Sequence, residues 1–163
     1  MMKLTESQLT QYANQFLNKN YGFELTVPLR INGRLTRTYG RFGYRKYSNG
    51  RKVPLYVELS RNLVENNEMV AVLDVLCHEL VHYALFMQDK PNSDGHPVFE
   101  SELERLGIVS QDNIAKKYSI KSAMRTYQCT DCNTKFKRGR ALPNGGRGYK
   151  CSCGGKLKDL GKI

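Results

Sequence analysis

Residues 68–88 read EMVAVLDVLCHELVHYALFMQ, and this stretch decides how the rest of the chain must be arranged. Met69, Val70, Val72, Leu73, Val75, Leu76, Leu80, Val81, Leu85, Phe86 and Met87 leave almost no polar side, so the stretch reads as a helix buried in a core. Its polar exceptions are ordered. Asp74, His78 and His82 fall at i, i+4 and i+8 and form one stripe, with Glu79 beside it. Burying that stripe without partners costs about 1–3 kcal/mol per unsatisfied polar group, and more for a charge. His78-Glu79-Leu80-Val81-His82 is the H-E-x-x-H pattern: two imidazoles one turn apart can reach one tetrahedral Zn²⁺, with a carboxylate beside them as general base. Two satisfied core histidines are the bland reading of the same five residues. The third and last histidine, His96, follows a loop, Gln88–Gly95, that can fold back towards the helix. A catalytic zinc takes three protein ligands and keeps one position open for water, so His78, His82 and His96 are the expected ligand set.

At 163 residues the chain suits one medium domain with a small appendage. A formal charge of +11 argues for an anionic partner, most often nucleic acid and less often a membrane surface. No apolar segment precedes the first polar helix, so no secretory signal is expected. Asp74, Glu79 and two histidines interrupt the apolar helix, so no membrane span is expected either. Four of the five cysteines cluster near the C-terminus at metal-like spacing, and Cys77 sits in the apolar helix as a small buried thiol. The expected compartment is the reducing cytoplasm.

Thr5 to Asn20 reads as an amphipathic helix with a capping box (Thr5, Gln8) and a buried face of Leu9, Tyr12, Ala13, Phe16 and Leu17. Phe23–Ile31, Leu35–Tyr47 and Val53–Leu59 read as strands joined at Asn32-Gly33 and Ser48-Asn49-Gly50, which predicts a mostly antiparallel three-stranded meander. Between positions 30 and 52 there are eight Lys or Arg and no acidic residue. Strand alternation puts Arg37, Arg41 and Arg45 on one face with Tyr39 and Tyr47, a pattern that suits phosphates and unpaired bases. Its ordinary counterpart is a solvated face whose tyrosines pack inward. The strand Leu55–Leu59 leads into the histidine helix, and a strand beside a metal site can hold an extended peptide by main-chain pairing. Pro97 begins a further helix that ends near Gly107. Its Glu100, Glu102 and Glu104 are read as mostly solvated, each an alternative to His96 as ligand. Asp74 has two readings, a hydrogen bond to a ligand histidine or a helix-surface salt bridge.

Residues 1–109 form the predicted main domain, 110–125 a basic helix and linker, and 126–163 a second unit. In that unit Cys129-Thr-Asp-Cys132 and Cys151-Ser-Cys153 bracket eighteen residues and supply the four thiolates of a structural zinc ribbon, ahead of two disulfides or a redox pair. The core is so small that the metal must provide most of its folding energy. Nine Lys or Arg against two Asp give residues 126–163 a net +7, and Lys135, Lys137, Arg138 and Arg140 are the candidate nucleic-acid contacts.

With these motifs the sequence resembles the SprT-like family of Spartan-related zincin metallopeptidases. The resemblance rests on Val57–Leu63, Val75–His82, the Asp94-Gly95-His96 turn and the terminal cysteines, and it spans the chain from the first helix onward. It implies an α+β fold: a zincin-like domain, with a short antiparallel sheet packed on the HExxH helix, plus a C-terminal zinc ribbon. It also implies a catalytic zinc on His78, His82 and His96, Glu79 as catalytic acid/base, and a structural zinc in a DNA-associated ribbon. Members commonly show Gly-His-Gly-Pro-Glu-Phe where this chain has Gly95-His-Pro-Val-Phe99. Leu85 stands where metzincins have glycine, which disfavours that class. The expected function is a zinc endopeptidase acting on protein substrates bound or crosslinked to DNA. The rival is a nucleic-acid-binding, transcription-linked module whose HExxH site is structural or weakly active. A hydrolase for a small substrate is a third reading.

Overall fold

A computed structural model describes residues 3–121 and 124–162. They form two compact units that divide between Lys121 and Ser122. Helix α1 (Glu6–Tyr21) starts as its capping box predicts. The Thr5 hydroxyl accepts the Gln8 N–H at 3.2 Å and the Gln8 side chain accepts the Thr5 N–H at 3.0 Å, satisfying two donors of the first turn. Leu9, Ala13 and Leu17, spaced at four residues, are fully buried.

Strands β1 (Leu29–Asn32), β2 (Gly40–Lys46) and β3 (Lys52–Ser60) form a sheet of order β1-β3-β2. β2 and β3 are antiparallel, and the predicted hairpin closes at Gly50, whose φ of 85° suits glycine. β1 pairs parallel to β3, so the predicted antiparallel meander is corrected to a mixed sheet. The cause lies in burial. Val57, Glu58, Leu59 and Ser60 of β3 are all buried, and β3 takes the centre where both of its edges are paired. Asn32 opens a local side-chain turn instead of a hairpin, with its carbonyl accepting the Arg34 N–H at 2.8 Å. The predicted strand from Phe23 is shorter because its backbone finds side-chain partners. The Leu25 N–H donates to Asn14 and the Thr26 N–H to the Tyr83 hydroxyl, at 2.9 and 3.0 Å.

Helix α2 (Arg61–Asn66), capped by Ser60, leads to α3 (Met69–Met87). α3 is apolar all round because it serves two cores. Val72, Val75, Leu76, Leu80, Tyr83 and Ala84 join the main core with α1 and β3, while Val81 and Leu85 meet Phe99 and Leu103 of α4 (Pro97–Leu106). By length and mean hydropathy (1.6) α3 could cross a membrane, but 72% of that window is buried within the protein. A 3₁₀ turn (Gln111–Asn113) and the short α5 (Ile114–Tyr118) follow, with Ile114 buried in the main core.

The second unit is a sheet of order β5-β4-β6, from β4 (Arg125–Cys129), β5 (Lys135–Arg138) and β6 (Leu157–Lys162). Tyr127 is its central buried side chain, and the Tyr127 hydroxyl accepts the Leu142 N–H at 2.8 Å. The chain is thus a mixed α+β protein with small sheets, carrying its cysteine cluster in the second unit.

Candidate metal centre

Helical spacing on α3 sets His78 and His82 one turn apart, with ring centroids 5.0 Å from each other. Ligand atoms of His78, Glu79 and His82 lie within 4.8 Å of one another, and all three residues are buried or nearly so. Each imidazole is oriented from behind by the chain. His78 Nδ1 donates to the Val109 carbonyl at 2.9 Å, and His82 Nδ1 donates to the Asn92 carbonyl. A carbonyl can only accept, so both Nδ1 atoms hold protons and both Nε2 atoms face the shared site, the arrangement a metal-binding histidine pair needs. Phe99 fixes the ring planes, stacking on His82 at 4.1 Å and meeting His78 edge-on at 5.3 Å.

Asp94 faces both imidazoles. Its Oδ1 is 2.9 Å from His78 Nε2 and 3.4 Å from His82 Nε2. Hydrogen bonds from His78 and His82 hold the Asp94 carboxyl well below the usual carboxylate range. Burial pulls His78 down, but Asp94, Glu79 and Val109 raise it further, leaving it above its ordinary value. With Nδ1 committed to Val109, Nε2 is the His78 ring nitrogen that faces Asp94. Burial pushes the Glu79 carboxyl up, with His82 and His78 offsetting part of the rise.

Gly40, at the start of β2, makes room for Glu79. A Cβ there would sit 3.0 Å from Glu79 Cγ and 3.1 Å from both the Glu58 carbonyl and Leu59 Cδ2. Residue spacing carries no signal for this contact, because it joins two elements that lie far apart in the chain.

His96, the third predicted ligand, is not in the group. It is exposed and caps α4, where its Nδ1 accepts the Val98 N–H at 3.2 Å. Gly95 turns the loop at φ 82°, and its N–H donates to Glu100 at 2.8 Å. Glu102 bonds the Tyr21 hydroxyl and Arg105. Asp74 does not touch either histidine: it pairs with Lys117 at 3.1 Å, accepts the Tyr118 hydroxyl and accepts the Val109 N–H at 3.3 Å. Of its two readings the structure shows the salt bridge, with one addition. Through Val109, whose carbonyl takes His78 Nδ1–H, Asp74 also anchors the backbone that orients that histidine.

The donor set fits zinc: two neutral-capable imidazoles with Nε2 free of backbone partners, a carboxylate beside them, and Asp94 and His96 two residues apart on the facing loop. The cysteines fit it more completely. Sγ atoms of Cys129, Cys132, Cys151 and Cys153 lie within 4.8 Å of one another, with pairs at 3.5 and 3.6 Å. Tetrahedral zinc with sulfurs at about 2.3 Å sets them roughly 3.8 Å apart. The N–H groups of Asp131 and Cys132 point at Cys129 Sγ, at 3.4 and 3.5 Å. A Cβ on Gly155 would come within 2.5 Å of that sulfur, so this glycine is required for space. Hydrogen bonding to Thr134 brings the Cys132 thiol down to about 6, towards the thiolate a metal takes.

Of the predicted nucleic-acid residues, Lys135, Lys137 and Arg138 on β5 and Arg140 beyond it are exposed. The predicted Arg37, Arg41 and Arg45 face is not assembled as expected. Arg37 precedes β2, Tyr39 packs against the main core, and Arg41 binds the buried Glu58 at 2.7 Å; Arg45 alone is an exposed, uncommitted strand residue. Alternation fails here because β2 begins only at Gly40, and because Glu58, across from Arg41, needs a cation once buried.

The model of the SprT-like family matches residues 6–120, which span the first unit from α1 to α5. The chain belongs to the SprT-like family. Its relatives include the "Protein SprT-like" of Streptococcus sanguinis, 26% identical over 151 residues that cover 92% of this chain and 95% of that protein. The protein of the same name from Staphylococcus saprophyticus is 26% identical over 162 residues, covering 98% and 93%. That of Oceanobacillus iheyensis is 28% identical over 160 residues, covering 93% and 89%. The histidine site of this SprT-like chain lies inside the matched segment; the cysteine cluster lies beyond it, within the span shared with the Staphylococcus saprophyticus protein.

Proposed function

We propose that this SprT-like protein is a zinc-dependent endopeptidase acting on DNA-bound or DNA-crosslinked proteins. The observation that carries the reading is the buried trio of His78, Glu79 and His82 with both Nε2 atoms facing one site. His78 and His82 would hold zinc through Nε2, with His96 of the facing loop as the third ligand. When bound, zinc supplies the Lewis acidity that polarises a carbonyl and acidifies water. Glu79, its carboxyl raised by burial, takes the proton from the attacking water and returns it to the leaving amine. Among the described residues β2 pairs only with β3, so its other edge is free, and Gly40 brings the start of that edge against Glu79. A peptide strand added there by main-chain hydrogen bonds is held without a side-chain pocket, which suits varied protein substrates. The ribbon's exposed Lys135, Lys137, Arg138 and Arg140 support DNA as the anchor. The structural zinc belongs to the four cysteines.

The alternative, a nucleic-acid module with a structural histidine site, is favoured by one observation. If Asp94 and His96 both ligate, four protein ligands close the metal and leave no open position. The deciding experiment is cleavage of a DNA-binding protein by the purified chain, with and without single-stranded DNA, comparing wild type with Glu79→Gln at matched zinc. DNA-stimulated cleavage that vanishes in Glu79→Gln is expected. A zinc-loaded, DNA-binding wild type as silent as the variant would establish the alternative.

A further inference from the structure

The sheet of the first unit has one face on the core and one face outward. On the core face lie Leu29, Ile31, Phe42, Val57 and Leu59. On the outward face, Arg30 of β1 and Arg41 of β2 stand opposite Glu58 of β3 from its two sides. Glu58 is buried, and both groups that hold it use Oε2: Arg41 Nε at 2.7 Å and Asn32 Nδ2 at 3.1 Å. That carboxylate is therefore already neutralised. Beside it opens a cavity of about 590 Å³ whose floor is Glu58 and Asn32 and whose rim is Arg30, Arg34 and Arg61. All three rim arginines are exposed, and among the described residues none of them forms an ion pair. The Arg61 guanidinium lies over Gly33, where a Cβ would meet Nη1 at 3.3 Å.

We propose that this rim binds the phosphate backbone of a nucleic acid. The proposal rests on the nucleic-acid part of the function proposed above and assigns it a surface on the peptidase unit itself, separate from the ribbon. Three uncompensated guanidiniums around one concavity match phosphates, which arginine can bind in bidentate fashion. Base stacking is not offered here. The aromatic ring of this face, Tyr56, lies across Gly43 on one side and under the Arg41 guanidinium, 5.2 Å from its centroid, on the other. Recognition is therefore of the backbone, with no dependence on base sequence. Arg41 is structural on this view, since it neutralises Glu58.

The test measures binding of the full zinc-loaded chain to a 20-base-pair duplex DNA across a salt series. Wild type is compared with the triple variant Arg30→Ala/Arg34→Ala/Arg61→Ala, with Arg34→Ala alone, and with the ribbon variant Lys135→Ala/Lys137→Ala/Arg138→Ala. Removing one arginine–phosphate pairing lowers the slope of log K against log salt by about 0.9, so the triple variant should lose roughly 2.7 and Arg34→Ala about 0.9. The single variant keeps the test decisive if the triple one folds poorly. An unchanged slope in both arginine variants, with a reduced slope in the ribbon variant, overturns this surface and leaves nucleic acid as the partner of the ribbon. Absence of any wild-type binding overturns both.

Discussion

Replacing Gly40 by alanine adds one methyl group where β2 meets the histidine helix α3, and the structure states what that methyl would touch. Its three neighbours stand at 3.0 Å (Glu79 Cγ), 3.1 Å (Glu58 carbonyl oxygen) and 3.1 Å (Leu59 Cδ2), whereas comfortable carbon contacts begin near ~3.5 Å. Gly40 does not have a left-handed φ, so alanine suits the backbone and the cost is one of space. The carbonyl cannot retreat without parting β2 from β3, and Leu59 is fully buried. Glu79 must give way. Overpacking of this kind costs about 1–3 kcal/mol, and the reduced freedom of the unfolded alanine chain returns roughly 0.4–1, for a net loss of about 0–2.6. Misplacing a general base by a sizeable fraction of an ångström costs on the order of 10–100-fold in rate. If the proposed function holds, Gly40→Ala should keep its zinc content, since neither histidine touches the added methyl, yet unfold at lower urea and cleave protein substrate one to two decades more slowly. Metal analysis, urea melts and initial rates test the three parts separately. A variant with wild-type stability and rate would refute the claim that Gly40 seats Glu79.

Zinc content distinguishes the residues of the facing loop: His96→Ala should reduce the metal from two equivalents to one after dialysis against a weak chelator, while Asp94→Asn keeps both. The reverse result would make Asp94 the third ligand. Asp94 and His78 together should contribute most to the stability of the metal-free chain between about pH 4 and 6.5. The depressed Asp94 carboxyl stabilises the fold above its unfolded value and loses this as pH falls, whereas the raised His78 stabilises it below its unfolded value and loses this as pH rises. Zinc needs neutral imidazoles and should remove the alkaline decline. Thermal midpoints of chelator-treated and loaded protein across pH measure this, and a metal-free midpoint that climbs from pH 6.5 to 8.5 would contradict it. Gly155→Ala should cost the ribbon its zinc and its fold while the first unit stays native, because the added methyl would sit 2.5 Å from Cys129 Sγ. Zinc content of one equivalent with unchanged helical signal is the expected readout.

The sequence alone determined what depends on near neighbours. Two histidines at i and i+4 share a helix face, with the glutamate at i+1 flanking it, in any protein where that helix forms, and the all-round apolar character of residues 69–87 secured the helix and its burial. The Thr5 capping box and the close cysteine pairs at 129–132 and 151–153 are equally local, and each is formed as its spacing required. What only tertiary structure decided involves pairs of segments whose relation no periodicity encodes. β1 runs parallel beside β3 because the most buried strand takes the centre, and the donors of residues 25 and 26 turn to Asn14 and Tyr83 instead of a neighbouring strand. Burial of Glu58 drew Arg41 out of the expected basic face and left Arg30, Arg34 and Arg61 as the uncompensated charges. The loop after α3 brought Asp94, not His96, to the paired imidazoles, where its Oδ1 lies between the two Nε2 atoms. Val109, Phe99 and Gly40 entered the site from a loop, α4 and β2, each chosen by packing against α3 and by nothing within its own stretch of chain.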